Sequence, residues 1–115
     1  MPLLKLETNV VLPESERQQL LASLSKIVAE TIGKPEQYVM VAMNSSSVLM
    51  SGRSGDAAFV DIRSIGGLSG DINRQLSHKV CALLAESLRI AQNRVYLNFT
   101  DVESGAWGWN GSTFG

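Results

Sequence analysis

Leu4 and Leu6 alternate with Lys5 and Glu7 in the opening stretch Pro2–Thr8, the period of a strand with one buried face. Proline suits the first residue of such a strand, where no ladder donor is lost. Beyond Pro13-Glu14-Ser15 the period lengthens to that of a helix. Leu20, Leu21, Leu24, Ile27, Val28 and Ile32 form its apolar stripe, Ser15 with Gln18 fits a capping box at its start, and Gly33 followed by Pro35 stops it. Residues 38–43, YVMVAM, are an apolar run of strand length, broken by Asn44-Ser45-Ser46-Ser47. Val48-Leu49-Met50 reads as a short extra strand before the turn at residues 52–55, and residues 57–65 as a further strand ending at Gly66-Gly67. A second helix is predicted from about Ser69 to Arg89, with Ile72, Leu76, Val80, Leu83, Leu84 and Leu88 on one face. The last long strand spans residues 95–100, with Val95, Leu97 and Phe99 on one side and Tyr96, Asn98 and Thr100 on the other.

Strand-helix-strand therefore occurs twice, at residues 2–43 and 57–100, which is an internal structural repeat. Two such units with right-handed crossovers give a four-stranded mixed sheet with both helices on one face, an α+β two-layer sandwich in one domain over residues 1–115. Val39, Val41, Phe59 and the N-terminal leucines are too many for two helices to cover, and no further helix remains. The expectation is an oligomer whose subunits cover one another's sheets. The tail from Glu103 to Gly115 carries Trp107, Trp109 and Phe114 in a loop-like setting, the mark of a segment that packs onto something. Subunit contact and ligand pocket are both open readings of it.

At 115 residues, one core is expected, burying about two-thirds of the surface of the unfolded chain. A formal net charge of -1 without a run of Lys or Arg gives no pull toward nucleic acid or anionic lipid. No window approaches membrane-spanning length, and MPLLKLE places a lysine and a glutamate before any apolar signal core. A cytoplasmic location is expected, with export only by a route that uses no signal peptide. Cys81, the only cysteine, sits in the apolar helical pattern, so neither an intrachain disulfide nor a cysteine-rich metal site can form, and a buried inert thiol is expected. His78 falls on the polar side of the second helix. No paired-carboxylate, nucleophile-elbow or phosphate-loop pattern appears. The glycine-rich stretch from Ser64 to Gly70 opens a helix and offers backbone N–H groups to a carboxylate, which alone is a weak signal. Pro2 stands out by elimination: once Met1 is removed, its secondary amine sits at a strand tip and can accept a proton.

Several separated motifs agree in order and spacing. They are Gly33-Lys34-Pro35 with Gln37-Tyr38, Ser64-Ile65-Gly66, Leu83-Leu84-Ala85-Glu86, Asn93-Arg94-Val95-Tyr96-Leu97-Asn98-Phe99 and Gly108-Trp109-Asn110-Gly111-Ser112-Thr113-Phe114. Together with the Met-Pro start they resemble the macrophage migration inhibitory factor (MIF) family of the tautomerase superfamily, in register over essentially the whole chain. The resemblance implies a homotrimer with active sites between subunits, and keto-enol tautomerisation of aromatic α-keto acids such as phenylpyruvate and hydroxyphenylpyruvate, without cofactor or metal. It implies Pro2 as general base, Lys34 and the Ile65 N–H as anchors for the substrate carboxylate, and Tyr38, Trp109 and Phe114 around the amine. Asn98 would reach in from the adjacent subunit to the far polar end of the substrate, with Tyr96 on the same wall. A proline amine is too basic for this work in water. Burial and the Lys34 cation would each disfavour its ammonium form and bring its pKa toward the working pH.

Two departures from vertebrate members matter. Ala57-Ala58-Phe59-Val60 replaces their Cys-x-x-Cys, so thiol redox chemistry is not implied, and Trp107 stands beside the pocket where they have a small aliphatic residue. Plainer roles exist for each residue: Lys34 as a cation at a helix C-terminus, Asn98 as an interface hydrogen-bonding group, Pro2 as a strand start. The competing functional reading is a cytokine-like signalling or binding protein with a vestigial pocket, whose receptor the motifs do not reveal. The catalytic reading depends on loss of Met1, because an attached Met1 makes the Pro2 nitrogen an amide.

Overall fold

Period-2 patterning produces four long strands, β1 (Pro2–Thr8), β2 (Met40–Ser45), β3 (Ala58–Ser64) and β4 (Val95–Asp101), in a computed structural model that describes Met1–Gly115. Two helices, α1 (Glu14–Ile32) and α2 (Gly70–Leu88), join them in the order expected. The sheet order is β2-β1-β3-β4, with β1 parallel to β2, β3 parallel to β4, and the two units meeting at an antiparallel β1–β3 seam. That seam runs from Pro2 opposite Ser64 to Thr8 opposite Ala58.

Every second residue of β1 and β3 is buried: Pro2, Leu4, Leu6 and Thr8 on one strand, Ala58, Val60, Ile62 and Ser64 on the other. Leu24 and Val28 of α1 and Leu76, Val80 and Leu84 of α2 close over them to form one core. Cys81 belongs to this core, and burial pushes its thiol pKa up. Thr8 is the polar exception. Its hydroxyl donates to the Ala57 carbonyl at 2.8 Å and accepts from the Val10 N–H at 3.2 Å, so both lone backbone groups at the end of the seam are satisfied inside the fold.

The sheet's other face is uncovered in the single chain, and it carries fewer apolar side chains than expected. Val39, Val41, Leu4 and Leu6 pack on the helix side, whereas Leu3, Met40, Phe59 and Tyr96 lie on the open side among Lys5, Glu7, Asp61, Arg63, Asn98 and Thr100. The run YVMVAM alternates like the other strands, so only half of it faces outward. The open face is thus mixed and largely polar.

Other boundaries shift for local reasons. Pro13 is the N-cap of α1, without a side-chain bond, and its carbonyl accepts the Arg17 N–H at 3.0 Å; Ser15 therefore lies inside the helix and the capping box does not form. Gln18 donates instead to Glu14 at 3.0 Å. Gly33 ends α1 in the left-handed conformation at φ 80°, as expected of a glycine stop. Ser69 caps α2 by accepting the Ile72 N–H at 3.1 Å. The strand predicted from residue 38 begins at Met40, because Glu36–Tyr38 forms a 3-10 turn. Residues 48–50 form no strand: Met50 bridges to Arg53 across a tight turn, and the Arg94 guanidinium donates to the carbonyls of Met50 at 2.9 Å and Arg53 at 3.2 Å.

Replacing Thr8 by valine keeps the shape but orphans the Val10 N–H and the Ala57 carbonyl. It is expected to lower unfolding free energy by about 1–3 kcal/mol. An unchanged urea midpoint would show that the hydroxyl contributes nothing at this seam.

Candidate active site

Pro2 is buried at the tip of β1, and the chain around it builds a cavity of about 510 Å³. Met1, Pro2 and Leu3 form one end. Gln37, Tyr38, Val39 and Met40 come from the approach to β2, Arg63 and Val102 from the ends of β3 and β4, and Trp107, Trp109 and Phe114 from the tail. The tail is more ordered than its composition suggested. After a turn at Ser104–Ala106 it forms a small hairpin, β5 (Gly108–Trp109) against β6 (Ser112–Thr113), turned by Asn110 at φ 52° and Gly111 at φ 79°. The Phe114 N–H donates to the Trp107 carbonyl at 3.1 Å, and the Trp109 and Phe114 rings stack with centroids 5.8 Å apart and planes 13° from parallel. The three tail aromatics thereby line the cavity, which is the pocket reading of the two left open by composition.

Lys34 and Ile65 stand at the Met1 end of the cavity. The Ile65 N–H donates to the Met1 carbonyl in a long contact of 3.4 Å. Gly66 and Gly67 follow in left-handed conformations at φ 72° and φ 82°. Gly67 must be glycine for space as well as for φ: a Cβ there would lie 2.5 Å from Ile32 Cγ2 and 3.5 Å from Lys34 Cε. The glycine turn is thus packed against the stem of Lys34. Burial, and after it the Lys34 cation, hold the Met1 amino group below its ordinary pKa.

Tyr96 and Asn98 are elsewhere. They occupy outward positions of β4, opposite Phe59 and Asp61, and do not line this cavity. One chain therefore unites Pro2, Tyr38, Trp107, Trp109 and Phe114, sets Lys34 and Ile65 at their edge, and leaves Tyr96 and Asn98 on the open sheet face.

Arg63 was not anticipated. Its Nε and Nη2 donate to one oxygen of Asp61 at 3.2 and 3.0 Å, which fixes the guanidinium beside Leu3 at the cavity wall. The signal was present in β3, where residues 59, 61 and 63 alternate outward. A smaller cavity of about 320 Å³ between the helices, edged by Glu16 and Glu86, contains none of the anticipated residues. His78 is exposed on α2 and does not line the main cavity.

A profile of the family described as macrophage migration inhibitory factor (MIF) matches residues 1–115. The chain belongs to the MIF family. It is 40% identical over 116 residues to macrophage migration inhibitory factor of Meriones unguiculatus, covering 99% of each chain, and 39% identical to a homolog from Trichuris trichiura, covering 99% of this chain and all of the relative. Among solved structures, the homologue from Prochlorococcus marinus superposes with a TM-score of 0.93 at 37% identity, covering 98% of this chain and 99% of that one. The MIF-like protein of Entamoeba histolytica superposes with a TM-score of 0.94 at 33% identity and covers 98% of both chains. Two helices on a four-stranded mixed sheet are thus the MIF fold of the tautomerase superfamily.

In this MIF-family chain, Gly67→Ala is expected to cost about 1–3 kcal/mol of stability, from the left-handed backbone and the contact with Ile32 together. Chemical unfolding measures it; a variant as stable as the parent would show that the turn tolerates a side chain.

Proposed function

We propose that the chain, with Met1 removed, is a keto-enol tautomerase of aromatic α-keto acids such as phenylpyruvate and hydroxyphenylpyruvate, working as a homotrimer. The observation that carries the reading is Pro2 itself, buried at the end of an aromatic cavity and at the same end as Lys34. MIF-family membership supports it.

In the keto-to-enol direction the free Pro2 nitrogen takes a proton from the carbon next to the carbonyl. The C–H electrons form the C=C bond, the carbonyl π electrons move to oxygen, and that oxygen takes a proton back from the Pro2 ammonium, which regenerates the base. A base for this step needs a pKa near the working pH. Burial and Lys34 depress the Met1 amine, and a terminal amine at Pro2 would meet the same two influences, which act in the same direction on its ammonium form. Lys34 and the Ile65 N–H would hold the substrate carboxylate. The stacked Trp109–Phe114 pair would receive the ring, and Tyr96 and Asn98, exposed on β4, are free to complete a neighbouring subunit's site.

With Met1 in place two functions are lost together. The Pro2 nitrogen is an amide, and the Ile65 N–H is engaged by the Met1 carbonyl. The second reading, a signalling protein with an idle pocket, has in its favour the names carried by the relatives.

On protein whose first residue is Pro2 by mass spectrometry, an ultraviolet assay should record enol conversion of phenylpyruvate. Pro2→Gly, and the form retaining Met1, should be slower by about 100-fold or more, the range of a lost general base. Equal rates would leave the signalling reading in place. Light scattering should give the mass of three chains at micromolar concentration; a monomer there would end the trimer proposal.

A further inference from the structure

The backbone N–H of Ile65 belongs to a turn that would be soft if left alone, since Gly66 and Gly67 both adopt positive φ and neither has a side chain to anchor it. The turn is nevertheless tied on both sides of one residue. The Ser64 hydroxyl, fully buried, donates to the Gly66 carbonyl at 2.6 Å, and the Gly66 N–H donates to a carboxylate oxygen of Asp101 at 3.1 Å. Asp101 is present because it is the last β4 partner of β3, directly opposite Ser64. The Val102 N–H closes that junction by donating to the Ser64 carbonyl at 2.9 Å. Both peptide groups of Gly66 are therefore held, and the Val102 bond to the Ser64 carbonyl holds the neighbouring Ser64–Ile65 peptide that carries the Ile65 N–H. One residue further on, Gly67 packs against Ile32 and the stem of Lys34.

We propose that Asp101 is a positioning residue for carboxylate binding: its hydrogen bond to Gly66 locks the Ile65–Gly67 turn so that the Ile65 N–H and Lys34 converge on one anion. The inference rests on the tautomerase site proposed above and deepens it. Asp101 touches neither substrate nor base in this scheme. Its work is geometric, so an acceptor of the same shape without charge should serve. A carboxylate placed so near an anion site would otherwise weaken anion binding, which makes the amide variant a direct discriminator between hydrogen bond and charge.

Binding of unreactive 3-phenylpropionate to Pro2-initiated protein, read by quenching of Trp107 and Trp109 fluorescence, tests the lock apart from turnover. Asp101→Ala should weaken that binding about tenfold and raise KM for phenylpyruvate by a similar factor, with kcat within about twofold. Asp101→Asn, whose amide oxygen can accept the same N–H, should restore both to within about twofold of the parent. Ser64→Ala, which cuts the other tie, should shift affinity in the same direction and covers the case in which Asp101→Ala does not fold. Unchanged affinity in Asp101→Ala and Ser64→Ala would overturn the proposal, as would an Asp101→Asn variant that binds as weakly as the alanine variant. Absence of Pro2-dependent enol conversion in the parent would reject the tautomerase reading alone, while the 3-phenylpropionate comparison would still decide the lock.

Discussion

The antiparallel pairing of β1 with β3 is the constraint from which the site follows. It joins two strand-helix-strand halves and, by its register, puts the first residues of the chain against the turn that begins at Ser64. The far end of the same seam holds that register. Thr8 donates to Ala57, and the Asn9 side chain both accepts from the Ala57 N–H at 3.0 Å and donates to the Gly55 carbonyl at 2.8 Å. A slip of β1 by one residue would turn Leu4 and Leu6 away from the face that holds Val60 and Ile62 and would carry Pro2 away from its cavity. Burial of those four side chains and the position of the terminal nitrogen are consequences of one alignment.

Electrostatics then acts on a place that packing has already shaped. The cavity wall is mostly apolar and aromatic, so the charges near it are few and separately housed. Lys34 stands at the Met1 end, and Arg63 stands at the wall with its charge turned onto Asp61. The Arg63–Asp61 pair is part exposed and adds little to stability. Burial and then the Lys34 cation both lower the basicity of the Met1 amine.

Much of this was legible along the chain. The alternation of Pro2–Thr8 and the stripes of both helices gave their elements, since each has one face against a single core. The capping box at Ser15 misled because Pro13 can begin a helix without a side-chain cap. Residues 48–50 were apolar without being a strand, because Arg94, distant in sequence, gathers the loop's carbonyls. The open face was overestimated in apolarity, since counting hydrophobic residues in YVMVAM ignores that alternate ones turn inward. Pro2, Tyr38, Trp107, Trp109 and Phe114 were identified as a group by resemblance, and their convergence needs only one chain. Tyr96 and Asn98 could be placed on one face by period but not against Pro2, because nothing within a single chain brings them together. The alternation of β3 turns Arg63 outward, but neither it nor Asp101 is marked by local pattern as a site residue. Their relevance lies in cross-strand partners, Ser64 and Leu3, which local periodicity does not pair.

A base that is also the chain terminus has an unusual dependence on backbone chemistry. Every side chain around Pro2 can be in place while the nitrogen remains an amide with no available lone pair. In that state the added residue fills the space it would vacate on removal, and its carbonyl satisfies the Ile65 N–H that would otherwise face a ligand. Hydrolysis of one peptide bond therefore does more than expose an amine. In the proposed scheme it would also vacate the space that Met1 fills and free the Ile65 N–H, in a turn tied to Ser64 and Asp101. On the proposed reading, the base and a donor for the substrate carboxylate would be uncovered in the same event.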